Sequence, residues 1–174
     1  RCRVGLVRRG AATVRVVRVG TEVSHVPLRV AVDEADYLVQ GEGETAFREL
    51  CRGLRAGRPP MERVIAAAPA EVDALAAPYP FYTDEDLAHR LVYVEAARGC
   101  PFRCAFCLSS IDHRVRPFAL EPFLAELDTL WQRGARTFKF VARTFNSSLA
   151  AATRILDFFL APAPPFHVHF EVTP

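Results

Sequence analysis

The spacing of hydrophobic residues changes several times along the chain, and each change marks an element. Residues 14–19 are Val interspersed with Arg15 and Arg18, and residues 36–40 (DYLVQ) carry a short apolar run; both read as strands. After "GEGE" at 41–44 the period lengthens. Phe47, Leu50, Cys51 and Leu54 fall on one helical stripe, which Gly57, Pro59 and Pro60 bring to a stop. On that stripe Cys51 is expected to be a core residue. Residues 57–82 are rich in Ala and Pro with weak periodicity, and read as a connection with one strand near Val64 and Ile65. Thr83 and Asp86 have the spacing of a capping box and open a short helix.

From residue 91 the pattern becomes regular. "LVYVEAA" (91–97), "TFKFVA" (137–142) and "FHVHFEV" (166–172) read as three strands. Between the first two, Pro122 opens a helix with Phe123, Leu124, Leu127, Leu130 and Trp131 on one face, and Gly134 closes it. Between the last two, Asn146 or Ser147 caps a helix whose inward residues are Leu149, Ala152, Leu156 and Phe159. Strand, helix, strand, helix, strand at this spacing predicts βαβ units and a parallel sheet, so the fold class is α/β. Strand alternation puts Tyr93 and Glu95, then Lys139 and Arg143, then His167, His169 and Glu171 on one face of that sheet. A polar barrel interior is the expected setting for such a face. Glu95 and Lys139 should approach each other there, with Arg143 at the upper rim and Glu171 projecting into the same lumen.

Composition narrows the class. The chain has 174 residues, 51% hydrophobic, and a net charge of +2, too small to argue for a nucleic-acid partner. Its positive charge is nearly all Arg; Lys139 is the single lysine. No signal-peptide pattern and no apolar run long enough for a bilayer are present, so a cytoplasmic protein without membrane association is expected. It begins at Arg1 without an initiator Met and ends at Pro174 after a strand-like run, as expected of a segment of a longer protein. Five cysteines make an odd set, which suits thiols kept reduced for metal better than a disulfide framework.

Three of the five lie close together. "RGCPFRCAFC" holds Cys100, Cys104 and Cys107 in a C-x3-C-x2-C array, in a loop directly after a strand, where α/β folds bind ligands. Structural zinc sites take four ligands. His113 is a possible fourth, and a zinc-stabilised binding module stays open as a reading. Iron–sulfur clusters usually take four thiolates as well, and an electron-transfer module with a fourth protein thiolate is a second alternative. Cys2 and Cys51 are not expected to serve. Three thiolates around a four-iron cluster leave one iron for a ligand. Ser109 and Ser110 are expected to cap a helix after the loop.

The cysteine loop, with Phe106 just before its last Cys, resembles the signature of radical S-adenosylmethionine (SAM) enzymes. "DYLVQGEGETAFREL" resembles the end of the cobalamin-binding domain found upstream in one branch of that family, and "VRVGTEVS" (17–24) is similar to that domain's glycine-rich nucleotide loop. "RGCPFRCAFCLSS" and "FKFVARTFN" are similar to stretches of a cobalamin-type subgroup. The resemblance implies a [4Fe-4S] cluster on Cys100, Cys104 and Cys107, with SAM chelating the open iron. It implies reductive cleavage of SAM to a 5′-deoxyadenosyl radical, a reducing electron donor and an unknown small-molecule substrate. Cobalamin is implied as an assisting cofactor in the whole protein. Phe106 would meet the SAM adenine, Arg143 would position a polar end of SAM or substrate, and Gly20, Gly41 and Gly43 would serve the cobalamin. The implied architecture is the end of a Rossmann-like cobalamin domain over 1–56, a linker over 57–90, and the first half of a (β/α)6 partial TIM-like barrel over 91–174. The chain departs from the pattern in reading Val-Gly-Thr-Glu at 19–22 where relatives often carry two glycines and proline. It also has Ala142 where the subgroup usually has Asp.

Overall fold

In the computed structural model the described residues are 14–20, 24, 35–107, 112–161 and 165–173; Cys2, Ser109 and Ser110 lie outside them. The chain divides into two compact units, Arg1–Leu75 and Ala76–Pro174. This division falls inside the stretch 57–90 expected as a linker. Its first part supplies a strand to one unit and its last part supplies a helix to the other.

In the first unit, β1 (Val17–Val19), β2 (Tyr37–Gln40) and β3 (Val64–Ala66) form a parallel sheet in the order β1-β2-β3. The central strand is apolar on both sides because both sides are covered. Leu38 packs with Ala35 and Val16 on one face, while Tyr37 and Val39 meet Leu50 of helix α1 (Gly43–Arg55) on the other. Of the α1 stripe, Leu50 is buried, Phe47 is 43% exposed, and Cys51 is half-buried, not the core residue expected of it. Ala46, Leu50 and Leu54 form the side of α1 that packs on the sheet, and only Leu50 of them is buried.

The second unit opens with helix α2 (Asp84–His89), whose capping box forms as expected. The Asp86 N–H donates to the Thr83 hydroxyl at 3.1 Å, and the Thr83 N–H donates to the Asp86 carboxylate at 3.0 Å. Then β4 (Val92–Val94), helix α3 (Leu120–Gln132), β7 (Thr137–Phe140), helix α4 (Leu149–Leu160) and β8 (His167–His169) alternate. The strands are parallel in the order β4-β7-β8, with Tyr93 opposite Lys139 and Lys139 opposite His169. Between β4 and α3 lies a small antiparallel ladder, β5 (Ala97–Arg98) with β6 (Arg116–Pro117).

One face of this sheet makes the core. Val92, Val94, Phe138 and Phe140 pack with Phe123, Leu124, Leu127, Leu130 and Trp131 of α3 and with Ala152, Ile155 and Phe159 of α4. Full burial of each large side chain contributes roughly 1.5–3 kcal/mol. Phe140 sits at the centre, in ring contact with Phe123 (6.0 Å), Phe145 (5.5 Å), Phe159 (6.1 Å) and Phe170 (4.7 Å). The buried face of α4 is Ala152, Ile155 and Phe159, whereas Leu149 and Leu156, expected inward, are 74% and 41% exposed. Ala152, Ile155 and Phe159 follow one another at a three- then a four-residue step and centre the buried stripe, and Leu149 and Leu156 fall together on one side of it. The cap of α4 is Ser148, whose hydroxyl accepts from the Ala151 N–H, in place of Asn146 or Ser147. Pro122 lies within the first turn of α3, where its missing N–H costs no helical bond. No helix among the described residues is long and apolar enough to cross a membrane.

Phe140→Ala is expected to destabilise the second unit by about 3–5 kcal/mol, whereas Leu149→Ala changes stability by less than about 0.5 kcal/mol. Urea denaturation followed by Trp131 fluorescence checks both. Equal losses at the two positions would contradict the core assignment.

Candidate functional site

The cysteine loop is closed at its own base. After β4 the chain passes Glu95 and Ala96 into β5, and the β5–β6 ladder sets Ala97 opposite Pro117 and Arg98 opposite Arg116. The Phe118 N–H donates to the Ala96 carbonyl at 3.0 Å, and the Cys100 N–H donates to the Asp112 carbonyl at 3.0 Å. The Arg116 guanidinium adds an ion pair to the Asp112 carboxylate at 2.9 Å. Gly99 lies in this neck with φ +84°, and a Cβ built on it overlaps the Arg114 carbonyl. Both the conformation and the space demand glycine there. Pattern reading passed over Gly99; its signal was a glycine set directly between the end of a strand and the first cysteine.

All three loop cysteines are free thiols, with Cys100 buried, Cys107 half-buried and Cys104 exposed. Cys104 and Cys107 share a turn in which the Cys107 N–H donates to the Cys104 carbonyl at 3.1 Å. Cys100 Sγ lies 3.4 Å from the hydroxyl of Thr144, which follows β7. The donor set, three reduced thiols on one loop, fits a soft-metal or iron–sulfur centre with fewer protein ligands than a closed site. Among the described residues no three Cys, His, Asp or Glu side chains stand within metal-ligating range of one another. Phe106 is 94% exposed. Arg143 is also exposed, on the loop that follows β7.

The second face of the parallel sheet is polar, with Tyr93, Lys139, His167 and His169 exposed or half-buried opposite the aromatic core. The expected Glu95–Lys139 pair is not made among the described residues. The register sets Tyr93 opposite Lys139, and Glu95 instead binds Arg98 with two contacts of 3.0 Å. The reason is local: β4 ends at Val94, so Glu95 belongs to the turn into the neck and meets a guanidinium three residues on. Arg98 also stands over the Phe118 ring, 5.9 Å from its centroid. The Glu95 N–H donates to the Tyr79 hydroxyl at 3.0 Å. Burial pushes the Tyr79 phenol up to about 12, with the Glu95 carboxylate adding to the rise.

In the first unit the three glycines gather where β1 and β2 end. Ser24 ties two of them: its hydroxyl donates to the Gly20 carbonyl at 2.9 Å and accepts from the Gly41 N–H at 2.8 Å. A Cβ on Gly41, where φ is +85°, would stand 2.8 Å from the Ala67 carbonyl oxygen, and one on Gly43 would stand 2.6 Å from Val19 Cγ1. Gly43 begins α1, and the Glu42 carboxylate accepts from the Ala70 N–H at 2.6 Å. Ser24 was not singled out from sequence, because a serine in a glycine-containing loop carries no periodic signal.

No protein-family model matches the chain. Two curated proteins are similar to it. The uncharacterized methyltransferase sll1242 of Synechocystis is 32% identical over 125 residues, covering 70% of this chain and 23% of that protein. The uncharacterized methyltransferase PH0819 of Pyrococcus horikoshii is 31% identical over 135 residues, covering 64% of this chain and 29% of that protein. The chain therefore spans about a quarter of the length of these relatives. Among solved structures, the radical SAM methyltransferase TsrM from Kitasatospora setae superposes with a TM-score of 0.62 at 19% identity, over 88% of this chain and 34% of that one. The chain thus shares the α/β, parallel-sheet fold of part of TsrM.

Two outcomes follow from the neck. Gly99→Ala is expected to cost about 1–3 kcal/mol through backbone strain and overlap, and to open Cys100 to alkylation at a rate near that of Cys104. Mass spectrometry of timed iodoacetamide labelling reads this; a Cys100 still protected in the variant would count against the closed base. Tyr79 gives a pH dependence. Its phenol has a raised value in the folded chain, so its contribution to stability is complete below about pH 10 and falls away between about pH 10 and 12. The fall should be visible in urea midpoints across that window and absent from Tyr79→Phe.

Proposed function

We propose that the chain joins the end of a cobalamin-binding domain to the first half of a radical SAM barrel in a SAM-dependent methyltransferase. In this reading Cys100, Cys104 and Cys107 hold a [4Fe-4S] cluster, and the iron without a protein thiolate takes the amino and carboxylate groups of SAM. A cluster held there would pass one electron from a reducing donor to SAM, whose C5′–S bond would break to methionine and a 5′-deoxyadenosyl radical. The chain's own part is to hold the thiols on a loop closed by Gly99 and the β5–β6 ladder. Phe106 serves as an aromatic surface for the adenine. Lys139 lies on the polar side of the sheet and Arg143 on the loop that follows β7, and in this reading they would meet an anionic group of SAM or of a small-molecule substrate. Gly20, Gly41 and Gly43 gather at the ends of β1 and β2, where the cobalamin nucleotide would lie. The protein works in the cytoplasm, where its thiols stay reduced.

The observation that carries this reading is the set of three free cysteines on a loop following the first strand of a parallel half-barrel. The fold shared with TsrM and the methyltransferase names of both curated relatives support it. The test is anaerobic reconstitution of the full-length protein with iron and sulfide, followed by EPR of the reduced cluster with and without SAM. The signal should change on adding SAM, 5′-deoxyadenosine should accumulate under reducing conditions, and Cys100→Ala, Cys104→Ala and Cys107→Ala should each lose the iron that Cys51→Ala retains. A cluster signal indifferent to SAM would favour an electron-transfer module, and zinc in place of iron would favour a binding module.

A further inference from the structure

Thr144 is a buried polar residue, at 5% exposure. Its hydroxyl faces Cys100 Sγ at 3.4 Å and has no other partner among the described residues. Cys100 is itself buried, so water does not compete for this contact.

The neighbours of Thr144 fix its direction. Phe145 is buried against Phe140 and Phe170, with ring centroids 5.5 and 3.9 Å apart, and its N–H donates to the Glu171 carbonyl at 2.8 Å. Asn146 clamps the far end of the chain. Its amide donates to the Thr173 carbonyl at 2.7 Å, and its carbonyl accepts from the Thr173 N–H at 3.1 Å and hydroxyl at 3.3 Å. The segment after β7 is thus pinned on the two residues that follow Thr144, and the hydroxyl is held toward the sulfur.

With a protonated thiol either atom can donate. A thiolate bound to iron has no proton, so Thr144 is then the donor. A hydrogen bond donated to a ligating sulfur withdraws charge from it and stabilises the reduced, more negative centre more than the oxidised one. We propose that Thr144 is a positioning residue for the iron–sulfur centre, orienting Cys100 and raising the reduction potential of the cluster. The role rests on the reading of Cys100 as a cluster ligand.

The experiment compares reconstituted full-length wild type, Thr144→Val, Thr144→Ser and Asn146→Ala by EPR-monitored potentiometry. Iron and sulfide content and resonance Raman of the iron–thiolate stretches are measured alongside. Thr144→Val keeps the volume and removes the donor, so its midpoint should move to more negative potential and its Fe–S(Cys) stretches to higher frequency, with iron content held. Thr144→Ser should restore both, and Asn146→Ala should shift the potential in the same direction by less. If Thr144→Val does not fold, Thr144→Ala replaces it as the donor-free variant. A cluster present in all variants at one common potential overturns the role of Thr144 alone. A wild-type protein that assembles no cluster overturns the reading of the loop and this role with it.

Discussion

The second unit is built around Phe140. It lies on the central strand β7, is fully buried, and touches an aromatic ring from α3, from the segment after β7, from α4 and from the segment after β8. Edge-on and tilted ring contacts constrain direction as well as distance, so both helices and two strand ends are referred to one side chain. The polar face of the same sheet exists because of this. With Phe138 and Phe140 committed to the helices, alternation turns Thr137, Lys139 and Val141 the other way.

The same packing carries into the site. Phe145 extends the aromatic cluster beyond the end of β7 and takes Thr144 with it, which is how a residue 44 positions away from Cys100 comes to meet its sulfur. On the other side of the contact, Cys100 is set by the neck: a two-residue ladder, the Asp112 carbonyl and Gly99. The buried cysteine is therefore located by two independent pieces of structure, one hydrophobic and one hydrogen-bonded. Cys104, further round the loop, is exposed and answers to neither.

How far the sequence could be read depended on the kind of signal. Strands and helices of the second unit were legible because their periodicity is strong, and the capping box of Thr83 and Asp86 was legible because its partners are three residues apart. The inward face of α4 was misjudged at Leu149 and Leu156, since an Ala-rich helix with apolar residues on more than one side does not say which side is buried. The Glu95–Lys139 pairing failed for a different reason. The register sets Tyr93 opposite Lys139 and β4 ends at Val94, so Glu95 lies outside the strand and meets Arg98 three residues on. Three cysteines at close spacing stood out as a candidate site without help from the fold. Gly99, Ser24 and Thr144 did not, because what each does depends on an atom far away in sequence, such as the Ser24 hydroxyl against Gly41 or Thr144 against Cys100.

A loop tied off at its own base is thermodynamically insulated from what happens inside it. The closure between Ala97 and Pro117 is secured by backbone pairing that does not involve the side chains of the thiol segment. Lengthening a closed loop adds little entropy cost, about 0.6 kcal/mol for a doubling of its length. Residues between the first cysteine and Asp112 can therefore be exchanged, inserted or deleted over evolutionary time without unpicking the barrel strands. Sequence at this end of the sheet can drift while the scaffold beneath it stays as it is.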